Sequence, residues 1–258
     1  MTGIDKSIIK EALILAAGKG TRLSTHFSKI LPKVLQPIND KPIIEYVIDL
    51  LEKMEIENIF IIIGYRKELI KDYFKDYNRK FNLFFIEQEK LSGIGDAILL
   101  AKEHIKEKYF LTILGDSLLN IENIESLYDL IRIHSPVAVE GTIQDNKDAI
   151  KRACEISYSP DYKMQYCIEK PKNPISSYRG VGLYAFHKSI FDYIASTPLS
   201  SLRGEREISD TMDLLSKQNQ AWAFPIIGYD FNINTKEDIV SAKEYFLNKE
   251  QKLSQIHH

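Results

Sequence analysis

The apolar run from Ala12 to Ala17 ends abruptly in Gly18-Lys19-Gly20-Thr21-Arg22, and this junction constrains the chain more than any other stretch. An unbroken series of small and aliphatic residues reads as a strand buried on both faces, and two glycines one residue apart read as a turn that other residues enter only with strain. Such a turn leaves successive backbone N–H groups uncovered, so that they can converge on an anion. Arg22 adds a planar fork of donors suited to phosphate oxygens, and Lys33, placed by the turn at Pro32, adds a compact positive charge. Leu13 to Lys33 therefore reads as a cradle for a polyphosphate; the plain alternative is a structural Gly-rich turn.

Two other phosphate-binding patterns do not fit this stretch. A P-loop requires G-x-x-x-x-G-K-[ST], and Gly18-Lys19-Gly20-Thr21 has neither the spacing nor the Lys-Ser/Thr pair. A dinucleotide fingerprint requires a third glycine where Leu23 stands.

The rest of the chain alternates in a way that suits such a loop. Pro42 opens PIIEYVIDLLEKM, with Ile43, Ile44, Val47, Leu50 and Leu51 at helical spacing. Asn58 to Gly64 is a continuous β-branched run, the pattern of a doubly covered strand. Lys67 to Tyr77 and Gly95 to Lys108 read as helices, Phe81 to Ile86 and Tyr109 to Leu114 as strands. This predicts a Rossmann-like, doubly wound α/β sheet of three layers, in which ligands sit beyond the C-terminal strand ends. The second half changes rhythm. Val137 to Thr142, Arg152 to Ser157, Met164 to Ile168, Gly180 to Phe186 and Ala221 to Ile227 are strand-like and separated by polar turns such as Ser159-Pro160-Asp161, which predicts antiparallel additions and a mixed sheet. Helices are expected from Ser189, from Ile208 to Gln218 and from Thr235 to Asn248, the last opened by a Thr235/Asp238 capping box.

Composition narrows the class of ligand. A chain of 258 residues with 44% apolar content suits one domain, here residues 1–250, with 251–258 as a disordered tail. A formal charge of −2 without a dominant basic run gives no support to a nucleic-acid or membrane-surface partner, so the ligand is expected to be small. Cys154 and Cys167 form no metal-spaced pair and read as free thiols of a reducing compartment, although neighbouring strands could bring them face to face. With no signal pattern and no run near the ~18 apolar residues of a membrane span, a cytoplasmic protein is expected. Self-association is left open. No hexapeptide repeat of a β-helix is present.

Leu15-Ala16-Ala17-Gly18-Lys19-Gly20-Thr21-Arg22-Leu23, followed by Pro32-Lys33, resembles the signature of the sugar-1-phosphate nucleotidylyltransferases, L-A-x-G-x-G-T-R-L and then P-K. The resemblance runs from about Ile9 to Ala242 and is nearest to the glucose-1-phosphate uridylyl- and thymidylyltransferases. It implies nucleotide contacts from Leu15, Ala17, Gly18, Lys19, Gly20, Thr21 and Arg22. It also implies base recognition by Gln88 and Gly93, since an amide can donate and accept to a pyrimidine edge. Asp116, in Leu-Gly-Asp after a buried run, matches the family's Mg²⁺-binding aspartate; a carboxylate there could also serve as a helix cap.

Before the last helix most relatives carry W-x-D-x-x-T, whereas this chain has Asn232, with Asp230 two residues earlier on the opposite strand face. Asn still offers a carbonyl oxygen, and the uridylyltransferases acting on N-acetylglucosamine 1-phosphate are similar in using asparagine here. Glu169-Lys170-Pro171 matches the family's E-K-P, in which the lysine holds the sugar 1-phosphate, and Gly180-Val181-Gly182-Leu183-Tyr184 resembles its V-G-L-Y strand, with Gly182 beside the sugar. Glu205-Arg206-Glu207-Ile208 resembles G-E-x-E-I. The implied activity is Mg²⁺-dependent transfer of a nucleotidyl group from UTP or dTTP to a sugar 1-phosphate, with Arg22, Lys33, Asp116 and Lys170 as the catalytic set. One departure concerns the sugar: relatives show Tyr-Gly-Val in the strand near residue 153, where this chain reads Lys151-Arg152-Ala153-Cys154-Glu155.

Overall fold

A computed structural model describes residues 8–20, 31–201, 204–233, 235 and 237–246. Thr21 and Arg22 lie outside the described residues, as do the end of the expected last helix and the tail at 251–258. The first half runs β1 (Ile9–Leu15), β2 (Pro37–Ile38), β3 (Lys41–Pro42), α1 (Ile43–Lys53), β4 (Asn58–Ile63), α2 (Lys67–Tyr73), β5 (Asn82–Glu87), α3 (Ile94–Leu99) and β6 (Tyr109–Leu114). There follow β7 (Ser117–Ile121), α4 (Ile124–His134), β8 (Ala138–Gln144), α5 (Lys147–Ile150), β9 (Cys154–Tyr158), β10 (Met164–Glu169), β11 (Tyr178–His187), α6 (Ile190–Ser196), α7 (Ile208–Lys217), β12 (Ala221–Pro225) and β13 (Gly228–Asn232). A helix over 237–246 closes the described chain.

Strand β1 pairs in parallel with β4 on one side and β6 on the other, and β4 with β5. The change of rhythm in the second half appears as antiparallel pairing of β11 with β6 and β8, and of β10 with β9. The result is a nine-stranded mixed sheet. Its two faces are covered because the central strands carry apolar side chains on both sides along most of their length. Ala12, Ile14, Ile59, Ile61 and Ile63 pack under α1, α2 and α4, while Leu13, Phe60 and Ile62 pack under α3, α6 and α7. Burying each large aliphatic side chain contributes roughly 1.5–3 kcal/mol, so the doubly covered strands supply much of the fold's stability. No helix of the described residues is long and apolar enough to cross a membrane.

Three local expectations change, and one strand pairing is new. The helix expected over 95–108 ends at Leu99 and tightens into turns, with Lys102 N–H donating to Leu99 O at 3.1 Å and His104 N–H to Ala101 O at 2.9 Å. Buried Glu11 explains the exit, since its carboxylate accepts from Lys106 and Glu107 N–H at 2.8 and 2.9 Å and turns the chain into β6. α2 stops at Tyr73, four residues short of the expected Tyr77, whose hydroxyl donates to Glu45 on α1 at 2.7 Å. β9 starts at Cys154, because α5 runs on through Arg152 and Ala153 as turns. Finally, β7 and β13 pair as a separate two-stranded sheet in which Asn232 sits opposite Ser117.

The strand β11 makes room for a cleft. One of its edges is held by β8 along most of its length; the other is held by β6 through Leu183 to His187 and by β9 only at Tyr178 and Arg179. β6 and β9 therefore diverge beside Gly180 to Gly182.

Candidate active site

That divergence opens a cleft of about 450 Å³ at the C-terminal ends of β1 and β6. Its lining includes Leu15, Ala17, Gly18, Gly20, Lys33, Gln88, Gly93, Asp116, Glu169, Lys170, Gly182 and Asn232, residues spread from position 15 to 232. Lys19 lies instead in an adjoining cavity of about 350 Å³ with Gly64, Tyr65, Lys67 and Gln88. Thr21 and Arg22 fall outside the described residues.

The glycine turn is fixed by its neighbours. Gly20 has φ +59°, and a Cβ on it would lie 2.8 Å from Lys33 Cβ. Lys33 opens a short 3₁₀ turn, Lys33–Leu35, that Pro32 precedes in extended conformation. Its ammonium is paired with a carboxylate oxygen of Asp116, which the chain delivers just past the end of β6. Asn232 reaches the same wall through the β7/β13 pairing, and Ile233 N–H donates to Asp116 O at 3.3 Å.

Asp230 faces the other way: Arg179 Nη1 donates to its Oδ2 at 2.6 Å, and Arg179 Nε to Asp145 at 2.7 Å. Burial, opposed by the adjacent guanidinium, lifts the Asp230 carboxyl to about 6. The pair anchors β13 from behind, and Asn232 is the one of the two that lines the cleft.

At the opposite end, Lys170 turns out of β10 with φ +44°, its N–H bonded to Ala153 O at 2.8 Å and its ammonium 3.1 Å from Glu169. Gly182, at φ +70°, would drive a Cβ into Leu114 at the end of β6, so the narrow cleft wall requires glycine there. Gly93 also needs its missing side chain, at φ +107°, and the reason is the backbone of Arg206: a Cβ would lie 2.7 Å from its carbonyl oxygen. Arg206 in turn donates to Asp96 at 2.8 Å and to the carbonyls of Ile194 and Ala195, tying the loop that carries Glu205 and Glu207 to α3 and α6.

The chemistry of Asp116 and Asn232 suits a hard cation. Both supply oxygen, and the Asp116 carboxylate already holds a cation in the form of the Lys33 ammonium. Sequence reasoning did not single out the Arg179–Asp145–Asp230 bridge, nor Arg152 and Tyr184 in the cleft wall. A charged residue inside the otherwise strand-like Tyr178 to His187 run was the available signal for the first.

Comparison with known proteins identifies the family and the fold. The family model described as Nucleotidyl transferase matches residues 11–248. The chain is 33% identical over 239 residues to Bifunctional protein GlmU of Methanocaldococcus jannaschii, covering 93% of this chain and 55% of that protein. It is 29% identical over 246 residues to UTP–glucose-1-phosphate uridylyltransferase AglF of Haloferax volcanii, covering 91% and 95%. The chain thus spans about half the length of the bifunctional relatives and nearly all of the second. Among solved structures, UDP-glucose pyrophosphorylase complexed with UDP-glucose superimposes with a TM-score of 0.83 at 22% identity, over 93% of this chain and 99% of the other, a likeness of fold.

Proposed function

The chain belongs to the nucleotidyl transferase family, and from that premise we propose that it transfers a nucleotidyl group from UTP or dTTP to a sugar 1-phosphate, glucose 1-phosphate foremost, releasing pyrophosphate. The observation that carries the reading is the meeting of Gly18, Gly20, Lys33 and Asp116 at one end of a cleft whose other end holds Glu169 and Lys170. A triphosphate tail at the first end and a sugar phosphate at the second would have their reacting groups between them. Residues 1–250 form the catalytic unit in this reading, working in the cytoplasm.

An oxygen of the sugar 1-phosphate attacks the α-phosphorus in line, and pyrophosphate leaves with the electron pair of the broken P–O bond. The chain's part is positioning and charge neutralisation. The Gly18–Gly20 turn presents backbone N–H groups, with Arg22, to the β- and γ-phosphates. Lys33 adds its charge there once it leaves Asp116. Lys170 draws the acceptor phosphate in against the repulsion of a second phosphate, while Glu169 accepts from sugar hydroxyls. Gln88 and Gly93 hold the pyrimidine edge. Mg²⁺, held by Asp116 and Asn232, would neutralise charge on the triphosphate when bound.

Asn232 supports N-acetylglucosamine 1-phosphate as a second acceptor, given the resemblance noted for that position. Pyrophosphate release measured with four NTPs against a panel of sugar 1-phosphates tests both. Turnover confined to UTP or dTTP with a hexose 1-phosphate supports the reading. Preference for CTP or GTP would move it to another nucleotidyltransferase, and nucleotide binding without turnover on any acceptor would make the protein a binder only.

A further inference from the structure

A second cluster of ligating side chains lies behind the Lys170 end of the cleft. Glu140 of β8, Cys154 of β9 and Cys167 of β10 are buried, and their ligand atoms all lie within 4.8 Å of one another. We propose that these three residues form a binding site for a soft divalent cation, Zn²⁺ or a thiophilic equivalent, separate from the oxygen site at Asp116.

The spacing fits such an ion. Tetrahedral zinc at about 2.3 Å from sulfur and 2.0–2.2 Å from carboxylate oxygen keeps its ligand atoms roughly 3.5–3.8 Å apart. Cys154 Sγ stands 3.2 Å from Glu140 Oε1 and Cys167 Sγ 3.9 Å from Glu140 Oε2, so small adjustments would close the site. The sulfurs come from diagonal rather than opposed positions of the β9/β10 pair, since Cys167 faces Ile156 and Cys154 faces Glu169. That diagonal suits two ligands of one ion better than a disulfide.

The chain also keeps the volume clear: a Cβ on Gly180 would run into both Glu140 Oε1 and Cys154 Sγ. Burial above all, with the neighbouring Cys154 thiol and Glu169 carboxylate, pushes the Glu140 carboxyl well above the usual range, and a hydrogen bond from the Tyr184 phenol opposes that shift. A bound cation would let the carboxyl and thiols ionise together. Cys154, Gly180 and Tyr184 also line the cleft, which gives an ion a route to the cluster. Two thiolates reject Mg²⁺ in favour of Zn²⁺, so the two sites would sort the hard and soft ions between them.

The test is an anaerobic titration of the reduced full chain with Cd²⁺ in excess Mg²⁺, read by thiolate-to-metal charge-transfer absorbance, with Zn²⁺ displacement as a second reading. One equivalent of signal per chain is expected, lost in Cys154→Ser and in Cys167→Ser, weakened about 10-fold or more in Glu140→Gln, and kept in Asp116→Ala, whose transferase activity is separately expected to vanish. No charge-transfer band in the wild-type chain, or a band that survives either cysteine substitution, overturns the proposal whatever the nucleotidyl transfer assay returns.

Discussion

The ammonium of Lys33 rests on a carboxylate oxygen of Asp116, joining residues 83 apart in sequence at the end of the glycine turn. Lys33 is nearly buried and Asp116 about a quarter exposed, so the pair lies at the inner wall of the cleft with one side open to solvent. The same carboxylate cannot serve the lysine and a divalent ion equally well. Nucleotide binding, which offers the lysine phosphate oxygens instead, is the event expected to free it.

Replacing Lys33 by Met therefore has two opposed effects. Turnover with NTP should fall by ~10²-fold or more, as for loss of one preorganised charged donor to a transferring phosphate. Divalent-ion affinity measured without nucleotide should rise, because the competing cation is gone. Calorimetric titration of both forms with Mn²⁺ checks the second effect; unchanged affinity would show that the lysine does not compete.

Lys170→Ala separates the two ends of the cleft. KM for the sugar 1-phosphate should rise by ~10-fold or more with NTP binding little altered, because only the acceptor phosphate loses its partner. Steady-state kinetics with each substrate varied in turn decides, and an equal loss in both would contradict the assignment of ends.

Gly182→Ala forces a side chain at φ +70° into Leu114. The strain and displacement together should cost about 1–3 kcal/mol. Chemical denaturation measures it directly. A shift within a few tenths of a kcal/mol would show that the β6/β11 wall is more yielding than its packing implies.

Glu140 makes stability depend on pH in the metal-free, reduced chain. Its folded carboxyl is held protonated well above 4.5 by burial. Below about 4.5 both the folded and unfolded forms are protonated and the group is neutral for stability. As pH rises beyond that, the unfolded chain ionises and the folded one does not, so stability falls, at up to about 1.4 kcal/mol per pH unit, until the folded carboxyl itself titrates. Glu140→Gln removes that slope. The melting temperature of the variant relative to wild type should climb between pH 5 and neutrality in the presence of chelator, whatever its starting offset; a constant difference would show that Glu140 is ionised when folded.

Arg179 bridges Asp145 and the fully buried side chain of Asp230. Arg179→Met leaves both acids without their cation, a loss of about 3–5 kcal/mol for a broken buried pair. Activity should drop with stability, since β13 carries Asn232; full activity in a destabilised variant would detach the bridge from the site.

Much of this architecture was legible in the sequence because the signals were local and strong. The Ala12 to Ala17 and Asn58 to Gly64 runs fall largely in the doubly covered parallel strands β1 and β4, and the Thr235/Asp238 box forms as expected, with bonds of 2.7 and 3.2 Å. What stayed hidden depended on partners far along the chain. β7 and β13 are short and of mixed polarity, and they become strands only by pairing with each other across more than a hundred residues. The end of α3 depends on Glu11, and the requirement for glycine at 93 depends on the backbone of Arg206. Cys154 and Cys167 read as free thiols that neighbouring strands could bring together, but the approach of Glu140 from β8 to both of them was not visible in the sequence.

The central claim is most directly tested by pyrophosphate release from wild type and Asp116→Ala with UTP or dTTP, Mg²⁺ and glucose 1-phosphate. Wild-type turnover that requires both the metal ion and the sugar phosphate, and its disappearance in the Asp116 variant, is the result expected. Near wild-type release from the variant would contradict the placement of triphosphate and metal together at the glycine turn.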